Sequence, residues 1–263
     1  MGTTPVRLGL IGCGNIAPLH VRSIAALPGA AITALADING QTIANLQAQF
    51  PHLADVPTYT DYRDLLATDI DGALILTPHG LHYRQITDAL TAGKHVLTEK
   101  PFVTHPEQAR ELIDLARERG RILMVSYQYA RLWPYRYARQ QIADGNLGEI
   151  LFYSSQITQN WSRVGGWRRS PTLGEGGMLV DTGSHFVDLM LYLTGMQPEQ
   201  VAAFAQSDAD LPREPGEGGG EASVDMITGA LIRFNGGRVA TLGVVGRGPT
   251  LWQITIIGTK GTI

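Results

Sequence analysis

The sequence predicts an α/β protein: a parallel sheet with right-handed crossovers at the N-terminus, then an α+β domain with a largely antiparallel sheet. Three observations predict it. Short apolar runs alternate with helical periodicities through the first half. A glycine turn, Gly12-Cys13-Gly14-Asn15-Ile16-Ala17, joins the first run to the first helix. Beyond residues 145–148 the texture changes to strand-like alternation broken by turn residues.

The elements follow in order. Residues 6–11 (VRLGLI) are a short apolar run ending in glycine, read as a buried strand. Ile16, His20, Ile24 and Leu27 then recur at helical spacing, with Pro18 early enough to be tolerated. A strand at 32–36, a helix at 41–50 and a strand at 73–76 ended by Thr77-Pro78 come next. A helix at 81–92 and a strand at 95–97 follow. Thr104, with Glu107 three residues on, reads as a capping box before a helix. Ala109, Leu112, Ile113 and Ala116 line one face of that helix, and Gly120 closes it. Residues 122–125 are the next strand, and alternation of this kind implies parallel pairing. The first domain is thus read as 1–126 and the second as 127–263. In the second, strands are read at 151–159, 201–206, 224–234, 239–245 and 252–257. Asn235-Gly236-Gly237 separates two of them as a hairpin would, and one helix falls at about 181–193. Residues 212–221 (PREPGEGGGE) read as a mobile loop.

Composition narrows the class. The chain of 263 residues suits one large or two modest domains. It carries 21 Lys plus Arg against 24 Asp plus Glu, a net charge of −3, so no basic field points to nucleic acid. With 44% hydrophobic and 17% charged residues it buries a core. No apolar run approaches the ~18 residues of a membrane helix, and no basic start or cleavage site marks a signal peptide. A cytoplasmic location is expected. The single cysteine, Cys13, excludes an intramolecular disulfide framework and a Cys-built zinc site. No HExxH-type pattern is present, and no metal is expected.

Chemistry enters with the glycine turn. Gly12 permits the tight turn, Gly14 lets backbone approach a pyrophosphate, and Ala17 allows close strand–helix packing. Asn15 and Ile16 open the helix whose N-terminus faces the anion. This is the Rossmann dinucleotide pattern. Asp37 ends the second strand and suits the adenosine ribose hydroxyls. It would repel a 2′-phosphate, so NAD is expected over NADP; the alternative is that Asp37 caps the next helix. Thr77, His79 and His82 sit where ligands meet an open α/β sheet, although either histidine reads equally as a loop residue. Glu99 and Lys100 end another strand. A lysine there would face the nicotinamide and stabilise negative charge on a substrate oxygen, against the ordinary fate of a solvated lysine.

In the second half, Asp181 and His185 are four apart and share a face if helical. A histidine moves protons near neutral pH, and Asp181 or Asp188 would orient it. On spacing alone the plainer reading is favoured, with Asp181 a cap and His185 a core histidine. Trp167 and Arg168, in a glycine-rich loop, suit a sugar face and its hydroxyls, but equally an anion or a packed loop.

Together these residues resemble the Gfo/Idh/MocA oxidoreductases. The resemblance is carried by GLIGCGNIAPLH (9–20), ALAD (34–37), ILTPHGLH (75–82), GKHVLTEKP (93–101), GWRRSP (166–171), GGMLVDTGSHFVD (176–188) and IIGTKGTI (256–263). It implies a nicotinamide-binding Rossmann domain and a C-terminal substrate and oligomerisation domain. It further implies hydride transfer at a secondary alcohol or ketone of a sugar, inositol or related polyol. His185 would be the acid/base, Lys100 would polarise the reacting oxygen, and Asp181 would assist His185 or bind substrate. A homo-oligomer, dimer or tetramer, through the C-terminal sheet is implied as well. His79 stands where the family more usually has Asn, and the run 127–134 is one residue longer than the common pattern. The chain ends where the family's second domain ordinarily continues, which implies a truncated sheet with an open edge. Two other functions fit the same fold: an NAD-dependent glycoside hydrolase and a non-catalytic ligand-sensing regulator.

Overall fold

A computed structural model describes residues 4–162, 164–211 and 224–263; the loop read at 212–221 lies outside the described residues. The chain divides into two units, Met1–Ser126 and Tyr127–Ile263.

In the first unit, β1 (Val6–Ile11) leads into α1 (Ala17–Ala25), β2 (Ala30–Ala36) and α2 (Gly40–Gln49). Then come β3 (Thr58–Tyr59), α3 (Tyr62–Leu66), β4 (Gly72–Ile75) and α4 (His82–Thr91). β5 (His95–Glu99), α5 (Pro106–Glu118) and β6 (Leu123–Ser126) complete it. The strands lie in the order β3-β2-β1-β4-β5-β6 and every pair is parallel. This is the Rossmann order, which reverses direction beside β1.

Alternation along the strands supplies both faces of the sheet. Leu10 and Leu74 pack with Val21, Ile43 and Leu46 of α1 and α2. Their neighbours Ile11, Ala73 and Ile75 pack with Leu65, Ile86 and Leu112 of α3, α4 and α5. Each such large apolar side chain gains about 1.5–3 kcal/mol by leaving water. The sequence reading has no β3 or α3. β3 is two residues long and α3 five, too short for a periodicity to register.

The helix after β5 corrects one expectation. His105, not Thr104, stands at the N-cap of α5, and no side-chain cap hydrogen bond is made there. Pro106 is the reason: it fixes φ at the first helical position and moves the start one residue on. Glu107 is left in the first turn, where it pairs with Arg110 at 3.4 Å. Gly120 ends the helix as expected, at φ +61. Its N–H donates to Arg117 at 3.1 Å and that of Arg121 to Ala116 at 2.9 Å, a Schellman motif.

The second unit holds α6 (Trp133–Ala143), β7 (Ile150–Thr158), α7 (Ser184–Thr194) and β8 (Pro198–Ser207). β9 (Asp225–Phe234), β10 (Val239–Val245) and β11 (Leu251–Gly258) follow. The sheet order is β11-β7-β10-β9-β8, antiparallel throughout except for the parallel pair of β10 and β7. Asn235-Gly236-Gly237 joins β9 to β10 as a hairpin, both glycines at φ +76. Ala138, Leu189, Met190 and Leu193 of α6 and α7 pack on Tyr153, Ile232, Phe234, Ala240 and Ile256 of the sheet. The sequence reading has no α6, because that helix buries only Ala138 and offers no apolar stripe. Among the described residues no helix is long and apolar enough to cross a membrane.

The vacant cap of α5 gives a direct test. Asp in place of His105 would accept from the first-turn N–H groups and complement the helix dipole. His105→Asp is expected to stabilise the chain by about 0.5–1 kcal/mol, read as a higher urea midpoint at pH 7. An unchanged midpoint would contradict the assigned cap.

Candidate functional site

The first unit's polar residues gather where its strands stop. After Ile11 the chain turns at Gly12 with φ +95, and a Cβ there would lie 2.9 Å from the Leu76 backbone. Only glycine fits. Gly14 differs: it is exposed, and a Cβ on it would meet nothing within 4 Å. The space before α1 is therefore open. Ile16, at the N-cap of α1, supplies no side-chain cap, so the positive end of the helix is left toward that space. Asn15 is exposed in the same turn.

Asp37 follows β2. Its Oδ2 accepts from the Cys13 N–H at 2.8 Å and its Oδ1 from the Asn39 N–H at 2.9 Å. The cap of α2 is instead Asn39, whose side chain accepts from the Gln41 N–H. Asp37 thus ties the end of β2 to the glycine turn, and a carboxylate has lone pairs left for further donors. Beside it Ile38 is 93% exposed, an apolar face the sequence reading overlooks. Burial, and secondarily the Asp37 charge, pushes the Cys13 thiol up to about 12; it stays a protonated packing group.

Beyond β4, the Thr77 hydroxyl donates to Gln85 Oε1 at 2.5 Å. His79 is buried and meets His82 edge-on, ring centroids 6.0 Å apart. His82 corrects an expectation. It has no exposed surface, and its ring is held between carbonyls: Nδ1 lies 2.9 Å from Pro101 O and Nε2 3.0 Å from Thr77 O. Burial draws its pKa down against those carbonyls. As a neutral imidazole it donates to one of these carbonyls and packs against the other, between the Thr77 and Pro101 segments.

Glu99 is also an anchor. His20 Nε2, from α1, lies 2.8 Å from Glu99 Oε1, and Glu99 Oε2 accepts from the Lys100 N–H at 3.1 Å. Burial raises the Glu99 carboxyl; the His20 hydrogen bond and charge, with Lys100, outweigh it, and the net direction is down. Lys100, half-buried, is thus held through its neighbours, Glu99 by His20 and Pro101 by His82. The sequence gives His20 only as a helix position.

In the second unit the chain makes a π-helical turn, Leu179–Gly183, before α7. Turns of this kind recur at functional sites. The expected continuous helix at 181–193 is therefore split, and α-helical spacing alone does not put Asp181 and His185 in register. Both are buried. Arg168 Nε donates to Asp181 Oδ2 at 3.3 Å, and its guanidinium lies 4.3 Å from the Trp167 ring centre. Trp167, Arg168 and Asp181 are one cluster. Upstream, Asp225 pins the segment: Oδ1 accepts from the Gly177 N–H and Oδ2 from the Leu179 N–H, both at 2.7 Å. Burial raises the Asp188 carboxyl, and the Arg131 charge partly offsets it. Tyr127 and Tyr129, to which the sequence assigns no role, both lie against the His185 ring.

Residues 6–127 match the family model described as oxidoreductase family, NAD-binding Rossmann fold. Residues 135–263 match that of the GFO/IDH/MocA C-terminal domain. The chain belongs to the Gfo/Idh/MocA family. An uncharacterised oxidoreductase of Schizosaccharomyces pombe is 34% identical over 214 residues, 79% of this chain and 56% of that protein. D-glucoside 3-dehydrogenase of Escherichia coli is 30% identical over 199 residues, 74% of this chain and 56% of the enzyme. The chain thus spans just over half the length of these two relatives. Levoglucosan dehydrogenase of Pseudarthrobacter phenanthrenivorans is 27% identical over 290 residues, 98% of this chain and 73% of the enzyme. Among solved structures, the WlbA dehydrogenase from Bordetella pertussis, in complex with NADH and UDP-GlcNAcA, has a TM-score of 0.87 at 26% identity. That match covers 100% of this chain and 74% of WlbA.

Two outcomes follow. Glu99 has a depressed folded pKa. Its stabilising contribution is complete above the ordinary carboxylate range and is lost as pH falls through the lower folded value. Glu99→Gln should therefore flatten the acid limb of a stability–pH curve, while a limb as steep as wild type would refute the pairing. Asp225→Ala leaves two backbone N–H groups without their acceptor and should cost about 2–4 kcal/mol, with faster amide exchange at Gly177 and Leu179.

Proposed function

We propose that the protein is an oxidoreductase that transfers hydride between NAD and a secondary alcohol or ketone of a sugar, inositol or related polyol. The observation that carries the reading is the open Gly12–Gly14 turn, tied to Asp37, on an oxidoreductase-family fold. The residues present fit a dinucleotide. A pyrophosphate suits the space before Gly14 and α1. Asp37 accepts from ribose hydroxyls and disfavours a 2′-phosphate, which supports NAD over NADP. Ile38 offers an apolar surface to an adenine.

When bound, the nicotinamide supplies the hydride acceptor or donor; this chain's residues orient the substrate and move one proton. Lys100 hydrogen-bonds the reacting oxygen and stabilises negative charge on it. His185 takes the hydroxyl proton in oxidation and returns it in reduction. Asp181 fixes Arg168, and Arg168 with Trp167 meets sugar hydroxyls and a sugar face. The names of two relatives, a D-glucoside 3-dehydrogenase and a levoglucosan dehydrogenase, support a carbohydrate substrate.

NADH formation across a panel of sugars, inositols and sugar acids tests the reaction. Turnover is expected with some polyols, falling about 100-fold or more in Lys100→Met. Aryl-glycoside cleavage without net NADH would replace the reading with a hydrolase; NAD binding with no turnover would replace it with a sensor. Asp37→Ser should shift the ratio of NAD to NADP affinity about tenfold toward NADP, the weight of one charged contact. An unchanged ratio in a binding titration would remove Asp37 from cofactor choice.

A further inference from the structure

Two tyrosines precede α6, and both meet His185. The Tyr129 ring lies against the imidazole at a tilt, with centroids 4.3 Å apart and planes inclined by 30°. Tyr127 meets the same imidazole edge-on, at 5.9 Å and 89°. Tyr129 is itself backed by Trp252 of β11, at 5.1 Å. Trp252 in turn stands edge-on to Phe186, at 5.7 Å, and Phe186 is fully buried. Tyr129 therefore has a second aromatic neighbour, on the sheet, besides the imidazole.

An aromatic face on an imidazole does two things. It fixes the plane of the smaller ring. It also carries negative potential, which attracts an imidazolium more strongly than a neutral ring. We propose that Tyr129 is the positioning residue of His185: its face sets the imidazole plane and favours the protonated state entered when His185 takes the substrate's proton. The proposal rests on the acid/base role given to His185 above. It concerns the ring face and not the phenol hydroxyl.

Other charged and titratable groups surround these rings, and Tyr135 of α6 acts electrostatically on Tyr129. Asp181, on the π turn, acts electrostatically on Tyr129 and is paired with Arg168. Asp188, on α7, acts on Tyr127 and lies near Arg131. Tyr127 shares a hydrogen bond with Ser184.

The test is an NMR titration of the histidine rings in the free protein, with His185 assigned from a His185→Gln spectrum. Tyr129→Phe keeps the face and should keep the wild-type midpoint. Tyr129→Leu keeps bulk without the face and should lower the midpoint by about half a pH unit. Tyr129→Met is a second ringless variant should the leucine variant not fold. In turnover, the acid limb of the oxidation profile should move down in the ringless variants and be restored by Phe. A wild-type midpoint in both ringless proteins, or a phenylalanine variant shifted as far as they are, would overturn the proposal. The titration needs neither cofactor nor substrate, so failure of the catalytic reading would show separately, as wild-type protein that turns nothing over.

Discussion

A parallel sheet points the carboxyl ends of all its strands the same way. In the first unit β1, β2, β4 and β5 stop at Ile11, Ala36, Ile75 and Glu99. Whatever follows those residues is delivered to one edge: Gly12, Asp37, Thr77 and Lys100. Gathering is not the same as fixing, and the loops after the strands are short and polar. Contacts between neighbouring segments do the fixing. Asp37 holds the Cys13 amide, His20 holds Glu99, and His82 spans the carbonyls of Thr77 and Pro101. The Asp37, His20–Glu99 and His82–Pro101 contacts link residues 19 or more apart in sequence, so they exist only once the sheet has formed.

The second unit solves the same problem with one carboxylate and a set of rings. Asp225, at the start of β9, takes two amides of the glycine segment and so sets where the π turn begins. Arg168 then fixes Asp181, and the tyrosines fix His185. Acid and imidazole are thus located by different partners, which helical spacing alone does not reveal.

Legibility from sequence followed the range of the interaction. Gly12, Gly14, Asp37 and Lys100 are readable because a strand ending in a turn is a local pattern. The hairpin at Asn235-Gly236-Gly237 is readable for the same reason. Where a position depends on a distant partner, the sequence offers residue type only. His82 has the composition of a groove residue, yet its two partners lie at 77 and 101. Tyr129 sits in a stretch without periodicity, and its relation to His185 and Trp252 exists only in three dimensions. The cap of α5 was missed on a local contest, in which Pro106 outweighed a capping-box match at Thr104. β3 and α3 are too short to show a periodicity, and α6 buries only Ala138.

The order of strands in the second sheet also governs when it can be assembled. β8, β9 and β10 are sheet neighbours in chain order, so they can close one upon the next. β7 cannot. It lies between β10 and β11, with Phe152 opposite Val239 and Tyr153 opposite Ile256. During synthesis β7 emerges long before either partner, carrying residues such as Tyr153 and Ile157 that end with no solvent exposure. Such long-range pairing is slow because loop closure precedes its reward. Until β10 and β11 have left the ribosome, β7 has no strand to pair with, and its apolar residues stay exposed to association with other chains.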